Sequence, residues 1–173
     1  DVEPTLIDIQ GGGSDLIFPH HEMCAAQAHV ITGKELAYSY VHTGMIGLDG
    51  EKMSKSKGNL VFVSRLVASD VDPMVIRWAL ISDHYRSDRM WSDLVLHKAQ
   101  NSFTQLNAAL SQENSAPTED LINSIVLALS DDLNTPLLVS SINTWSKETL
   151  AGAKGGNSDE LSIVLDALLG IKI

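Results

Sequence analysis

Lys52 and Lys55 stand three residues apart in a polar, serine-rich stretch, Lys52-Met53-Ser54-Lys55-Ser56-Lys57-Gly58, and that arrangement suits phosphate chemistry. Ammonium groups on a mobile loop can close on negative charge as it grows on a departing phosphate, where electrostatic stabilisation lowers a barrier most. Gly58 supplies a hinge. A second stretch, Gly11-Gly12-Gly13-Ser14-Asp15, has complementary chemistry. Glycines without Cβ atoms let the backbone approach a ligand closely. A carboxylate at Asp15 can accept hydrogen bonds from a ribose hydroxyl or an ammonium group.

These groups need elements to position them. Leu6-Ile7-Asp8-Ile9 is an apolar run ending at the glycines and reads as a buried strand entering a loop. Residues 19–32 are good helix formers, with Pro19 for the first turn and Gly33 for the stop. Strand, glycine-rich loop and helix in that order are the local pattern of a nucleotide-binding α/β domain. Residues 38–48 read as a further strand, Asp49-Gly50 as a turn, and 52–59 as a mobile surface loop. From Asp72 the chain reads as helical. Helix starts are expected at Asp72-Pro73, Ser92, Thr118, Thr135-Pro136 and Ser158. Apolar stripes follow them, among them Val75/Ile76/Ala79, Ala99/Phe103/Leu106, Leu121/Ile125, Leu138/Ile142/Trp145 and Leu161/Leu165. Stretches 111–117 and 151–157 read as linkers, and Trp78, Trp91 and Trp145 as core anchors. The division expected is an α/β part over residues 1–66 and a helical bundle over 67–173.

Lys52-Met53-Ser54-Lys55-Ser56 resembles the KMSKS signature of class I aminoacyl-tRNA synthetases, and the run from Gly11 to Glu22 (GGGSDLIFPHHE) resembles the cysteinyl-tRNA synthetases and their relatives. The resemblance extends over nearly the whole chain, including His84-Tyr85-Arg86-Ser87 and Asp131-Asp132-Leu133-Asn134-Thr135-Pro136. It implies an α/β fold: the C-terminal half of a Rossmann-like nucleotide-binding domain, followed by an α-helical bundle. It also implies ATP with Mg2+ and formation of cysteinyl-AMP. Lys52 and Lys55 would be catalytic, taking the pyrophosphate charge. Gly11, Gly13, Ser14 and Asp15 would hold the adenylate, Ile46 the adenine through its backbone, and Met53, Ser54 and Ser56 would complete the ATP loop. His20 matches a zinc ligand of the family, where the metal grips the substrate thiolate. Four residues on, where the synthetases have a glutamate ligand, this chain has Cys24. An i, i+4 pair faces one way on a helix, so Cys24 could reach the same ion, although a small buried helix residue is the readier reading. His42 reads as a satisfied strand residue.

Within the family, two branches share these motifs: synthetases that charge tRNA with cysteine, and ligases of mycothiol biosynthesis that join L-cysteine to the amino group of glucosaminyl-inositol. Gln10 where synthetases usually have histidine, Met23-Cys24, the run 58–66, and the end of the chain soon after the bundle all resemble the ligase branch. A non-catalytic paralogue is a third reading, which the intact lysine loop opposes.

Composition sets limits around these readings. A net charge of -10 gives no broad basic face for a nucleic-acid backbone. One cysteine allows no intrachain disulfide and fits a cytoplasmic location. No apolar run reaches the roughly 18 residues of a membrane helix. The chain opens at Asp1, not at Met, and reads as a piece of a longer protein. The remaining zinc ligands and the HIGH motif are then expected in the missing N-terminal half, and this piece alone is expected to be inactive.

Overall fold

The computed structural model describes residues 6–173. The chain forms two compact units. One runs up to Lys52 and includes Tyr85–Met90; the other comprises Met53–His84 and Trp91–Ile173.

In the first unit, β1 (Ile7–Gly13) pairs in parallel with β2 (Ala37–Thr43), with Gln10 opposite Tyr40 and Gly12 opposite His42. A short turn, Ser14–Leu16, and a wider one, Ile17–His21, lead into α1 (Glu22–Thr32). Helical backbone follows Phe18, so the helical stretch begins at the expected Pro19, with α1 proper from Glu22. Phe18 is extended (φ -135°, ψ 134°), as a residue before proline tends to be. Gly33 ends α1 in the left-handed conformation, φ 69°, as expected of a C-terminal glycine. The buried strand expected at Leu6–Ile9 is not buried: Ile9 is 61 % exposed. Among the described residues β1 has only β2 beside it, and no residue of α1 is buried.

The expected strand 38–48 is broken in two. Gly44 and Met45 interrupt it, and β3 (Ile46–Leu48) joins a second sheet. There it lies between β4 (Glu51–Lys52) and β5 (Arg89–Trp91). Asp49 and Gly50 both have positive φ, 54° and 81°, and turn the chain back so that Lys52 pairs with Gly47. Lys52 is thus a strand residue, not part of the mobile loop expected over 52–59. β5 was not legible, because a three-residue strand has no periodicity of its own. It is fixed by hydrogen bonds: Gly44 N–H donates to Tyr85 O at 2.7 Å, Met45 N–H to Asp88 Oδ1 at 2.7 Å, and Arg89 N–H to Met45 O at 2.9 Å.

Gly44 is buried, and a Cβ there would overlap the Ser87 carbonyl group. Since that neighbour is backbone, it cannot swing aside. Gly44→Ala is expected to destabilise the protein by about 1–3 kcal/mol, read as a lowered midpoint in urea unfolding.

The second unit is helical. Its elements are α2 (Val63–Ala68), α3 (Pro73–Ile81), α4 (Asp93–Leu110), α5 (Glu119–Ser130), α6 (Thr135–Leu150) and α7 (Asp159–Leu169). Side-chain caps fix three of the six starts, those of α3, α4 and α6. Asp72 Oδ1 accepts from Met74 N–H at 2.8 Å, and Ser92 Oγ from Val95 N–H at 3.3 Å. At α6 the capping side chain is Asn134, one residue before the expected Thr135, accepting from Leu137 N–H at 3.3 Å. Trp78, Leu106, Ile125, Leu138, Ile142, Leu161 and Leu165 form the core at no measurable exposure. The Trp78 indole N–H donates to Ser102 Oγ at 2.9 Å, so the ring's one polar atom is satisfied. The two expected linkers are loops with mostly exposed residues, and they are tied to each other. Ser115 and Gly156 bridge them with reciprocal backbone bonds of 3.3 and 2.9 Å, and Ser115 is fully buried.

Candidate functional site

The first unit gathers the glycine-rich stretch and Lys52. Gly11 and Gly13 end β1, and Ser14 and Asp15 lie in the turn after it. The β3–β4 hairpin carries Lys52 to Asp15, with Nζ 2.6 Å from Oδ2. Both side chains remain about half exposed, at 54 % and 43 %. An exposed pair of this kind is screened and exchanges readily with other partners. Gly13 takes part in the geometry, since a Cβ there would come within 2.6 Å of Asp15 Oδ1 and 3.3 Å of Met45 Sδ.

The hydrogen bond from Lys52 holds the Asp15 carboxyl below its ordinary 3.8. It outweighs a desolvation that acts the other way, and the charges of Lys52 and His20 add to it. The folded-state value is the depressed one. The pair's contribution is therefore complete above pH 3.8 and is lost as pH falls through the lower folded value. In Lys52→Ala the Asp15 carboxyl is expected to titrate closer to 3.8, which carbon-detected NMR of the side-chain carboxyl would read.

The rest of the lysine motif belongs to the second unit. Met53 and Ser54 are half-buried, while Lys55 and Ser56 are exposed on a turn over residues 55–58. That turn is internally fixed. Ser54 N–H donates to Asn59 Oδ1 at 2.9 Å, Lys57 N–H to Ser54 Oγ at 3.3 Å, and Gly58 N–H to Lys55 O at 3.2 Å. Ser54 and Ser56 hydroxyls lie 3.2 Å apart. Asn59 thus acts as the staple of the turn, a role its place in the motif did not reveal. The two lysines are unlike: one sits on a hairpin strand against a carboxylate, the other on a serine-pinned turn.

Ile46 is the half-buried first residue of β3, with Gly47 buried beside it. His20 is exposed on the turn before α1. Cys24 is exposed on α1, against the expectation of a buried helix residue, because α1 packs no face into a core. An accessible imidazole and an accessible thiol stand four residues apart; nitrogen and sulfur are donor types that suit zinc, but two donors would leave a tetrahedral site half made. Among the described residues no group of three or more His, Cys, Asp or Glu gathers as a metal cage. No helix among them is long and apolar enough to cross a membrane.

One cluster was not assembled from the sequence. The Gln10 side-chain nitrogen lies 3.2 Å from His21 Nε2, and His21 Nδ1 lies 2.8 Å from His42 Nε2. The two rings are tilted by 43° at 5.0 Å between centroids. His42 is indeed satisfied, by another histidine. Beside this cluster, a cavity of about 640 Å³ separates α1 from β2, lined by Ala25, Ala26, His29, Tyr38 and Tyr40 as well as the two histidines.

An α/β unit with a glycine-rich loop after a parallel strand, followed by a helical unit, is the class I synthetase architecture, and the sequence agrees. Residues 3–101 match the family of tRNA synthetases class I (C) catalytic domain, and the chain belongs to that family. It is 48 % identical over 170 residues to the L-cysteine:1D-myo-inositol 2-amino-2-deoxy-alpha-D-glucopyranoside ligase of Nakamurella multipartita, covering 97 % of this chain and 40 % of that protein. The ligase of the same name from Rhodococcus erythropolis is also 48 % identical, over 96 % of this chain and 41 % of its own length. The chain thus spans about two fifths of the length of these curated relatives. Among solved structures, a leucyl-tRNA synthetase, agnB2 LeuRS of Agrobacterium radiobacter K84 in a ternary complex with tRNA and LeuAMS, superposes with a TM-score of 0.54. It is 16 % identical and is covered over 85 % of this chain and 23 % of that one, a likeness of fold alone.

Proposed function

We propose that this chain is part of an ATP-dependent cysteine ligase of mycothiol biosynthesis, joining L-cysteine to the amino group of glucosaminyl-inositol through cysteinyl-AMP. The observation that carries the reading is the Lys52–Asp15 pair, which brings the first lysine of the KMSKS motif to the end of the glycine-rich stretch. The identity to ligases named for the same two substrates supports the choice of acceptor.

In the first step the cysteine carboxylate attacks the α-phosphorus of ATP, the bond to the bridging oxygen breaks, and pyrophosphate leaves. Lys52 and Lys55 are assigned its growing charge. Gly11, Gly13 and Ser14 present backbone to the adenylate, Asp15 accepts from its ribose or from the substrate ammonium, and Ile46 offers main-chain N–H and C=O to adenine. In the second step the amine attacks the activated carbonyl, AMP leaves, and the nitrogen loses a proton to give the amide. His20 is assigned to zinc, which when bound would supply selectivity for the substrate thiolate over a hydroxyl. Mg2+ enters with ATP, and a cytoplasmic location belongs to the same reading.

The test supplies the intact enzyme with cysteine, ATP and glucosaminyl-inositol and follows the amide by mass spectrometry. Amide formation with release of AMP and pyrophosphate is expected. Transfer of cysteine to tRNA without amide formation would replace this reading by that of a cysteinyl-tRNA synthetase, and no ATP–pyrophosphate exchange at all would leave a non-catalytic paralogue.

A further inference from the structure

The segment carrying His20 and Cys24 has little else to hold it. Among the described residues from Leu6 to Leu36, His21 alone is buried, at 8 % exposure. No side chain caps α1, none of its residues is buried, and the cavity of about 640 Å³ stands between it and β2. His21 reaches across that gap. Alternation along parallel strands puts Gln10 and Gly12 of β1 on one face, in register with Tyr40 and His42 of β2. Gly12 leaves a vacancy in this row, and the His21 ring fills it: a Cβ on Gly12 would come within 2.9 Å of His21 Cε1. Gln10 binds one ring nitrogen from the side of β1, and His42 binds the other from β2. With the Gln10 amide donating to Nε2, His21 carries its proton on Nδ1 and donates it to His42.

We propose that Gln10, His21 and His42 form a positioning clamp, in which the buried His21 ring ties the start of α1 to both strands and thereby sets the presentation of His20 and Cys24. All three clamp residues act through the backbone of this segment. Only the last link, from segment to metal, rests on the reading of His20 as a zinc ligand.

His42→Phe keeps the ring and removes the hydrogen bond; His42→Gln restores an acceptor and a donor. In the intact enzyme, His42→Phe is expected to speed hydrogen exchange of amides 22–32 at least ~10-fold and to weaken zinc by about 10-fold in chelator competition, with His42→Gln recovering most of both. Should His42→Phe fail to fold, Gln10→Leu makes the same comparison from the β1 side. Wild-type exchange in His42→Phe, or a glutamine variant no better than phenylalanine, overturns the clamp. Faster exchange with unchanged zinc affinity overturns its role in presenting His20. If the wild-type enzyme binds no zinc, the functional reading of His20 fails instead, and the exchange rates still decide the clamp.

Discussion

Lys55→Ala in the intact enzyme is expected to lower ATP–pyrophosphate exchange by about 10²–10³-fold while leaving the fold unchanged. On the proposed role, the size follows from removing a positive group that would meet charge present mainly in the transition state. Retention of the fold follows from the turn itself. Its bonds run from Ser54 N–H to Asn59, from Lys57 N–H to the Ser54 hydroxyl, and from Gly58 N–H to the Lys55 carbonyl. Alanine at position 55 keeps every one of them, and the lysine side chain is exposed. Lys55→Arg keeps the charge but not the compact ammonium and is expected to recover part of the rate. Circular dichroism and thermal melting check the fold. Exchange within a few-fold of wild type in Lys55→Ala would remove the phosphate role from this residue.

The helical unit was largely legible because its signals are local. Asp72-Pro73 and Ser92 announce their helices through side chains that reach two or three residues ahead, and the stripes through Ala99, Phe103 and Leu106 or Leu138, Ile142 and Trp145 are buried as their spacing requires. The Asp49-Gly50 turn was equally plain, yet its consequence was not. A two-residue turn with both φ angles positive folds the next residues onto the strand before, so Glu51 and Lys52 become β4. Reading Lys52 as loop treated it as equivalent to Lys55. The structure separates a lysine fixed on a hairpin from one on a turn. What stayed hidden rests on pairings distant in sequence. Ser115 meets Gly156 only across the two helices, α5 and α6, that separate them in sequence, and Gln10, His21 and His42 meet only after β1 and β2 are in register. One signal for the histidines was available. Gly12 falls mid-triplet on the same strand face as Gln10, and a missing side chain beside a polar one marks room for a ring from elsewhere. The exposed Ile9 shows the converse limit, since an apolar run reports that a strand can be covered and not what covers it.

Asp15→Asn separates the two partners of the ion pair. Asparagine keeps the size of the side chain and one acceptor oxygen but loses the charge and with it the attraction to Lys52, whose Nζ lies 2.6 Å away. Asp15 is exposed, so the fold has little to lose. Adenylate formation is expected to fall about 10²-fold, the scale of losing one charged contact in a site that works by positioning. Two explanations would share that result: Asp15 binds the adenylate or the cysteine ammonium itself, or it serves only to park Lys52 near the glycine-rich stretch. A double-mutant cycle distinguishes them. If parking were its whole role, Asp15→Asn in a Lys52→Met background would cost nothing further, because no ammonium remains to be held. If Asp15 touches the ligand, the second substitution still costs at least ~10-fold in kcat/KM. Gly13 ties the second outcome to the backbone, as a Cβ there would come within 2.6 Å of Asp15 Oδ1 and turn the carboxylate away. Gly13→Ala is therefore expected to reproduce the Asp15→Asn loss with the carboxylate and Lys52 both still present.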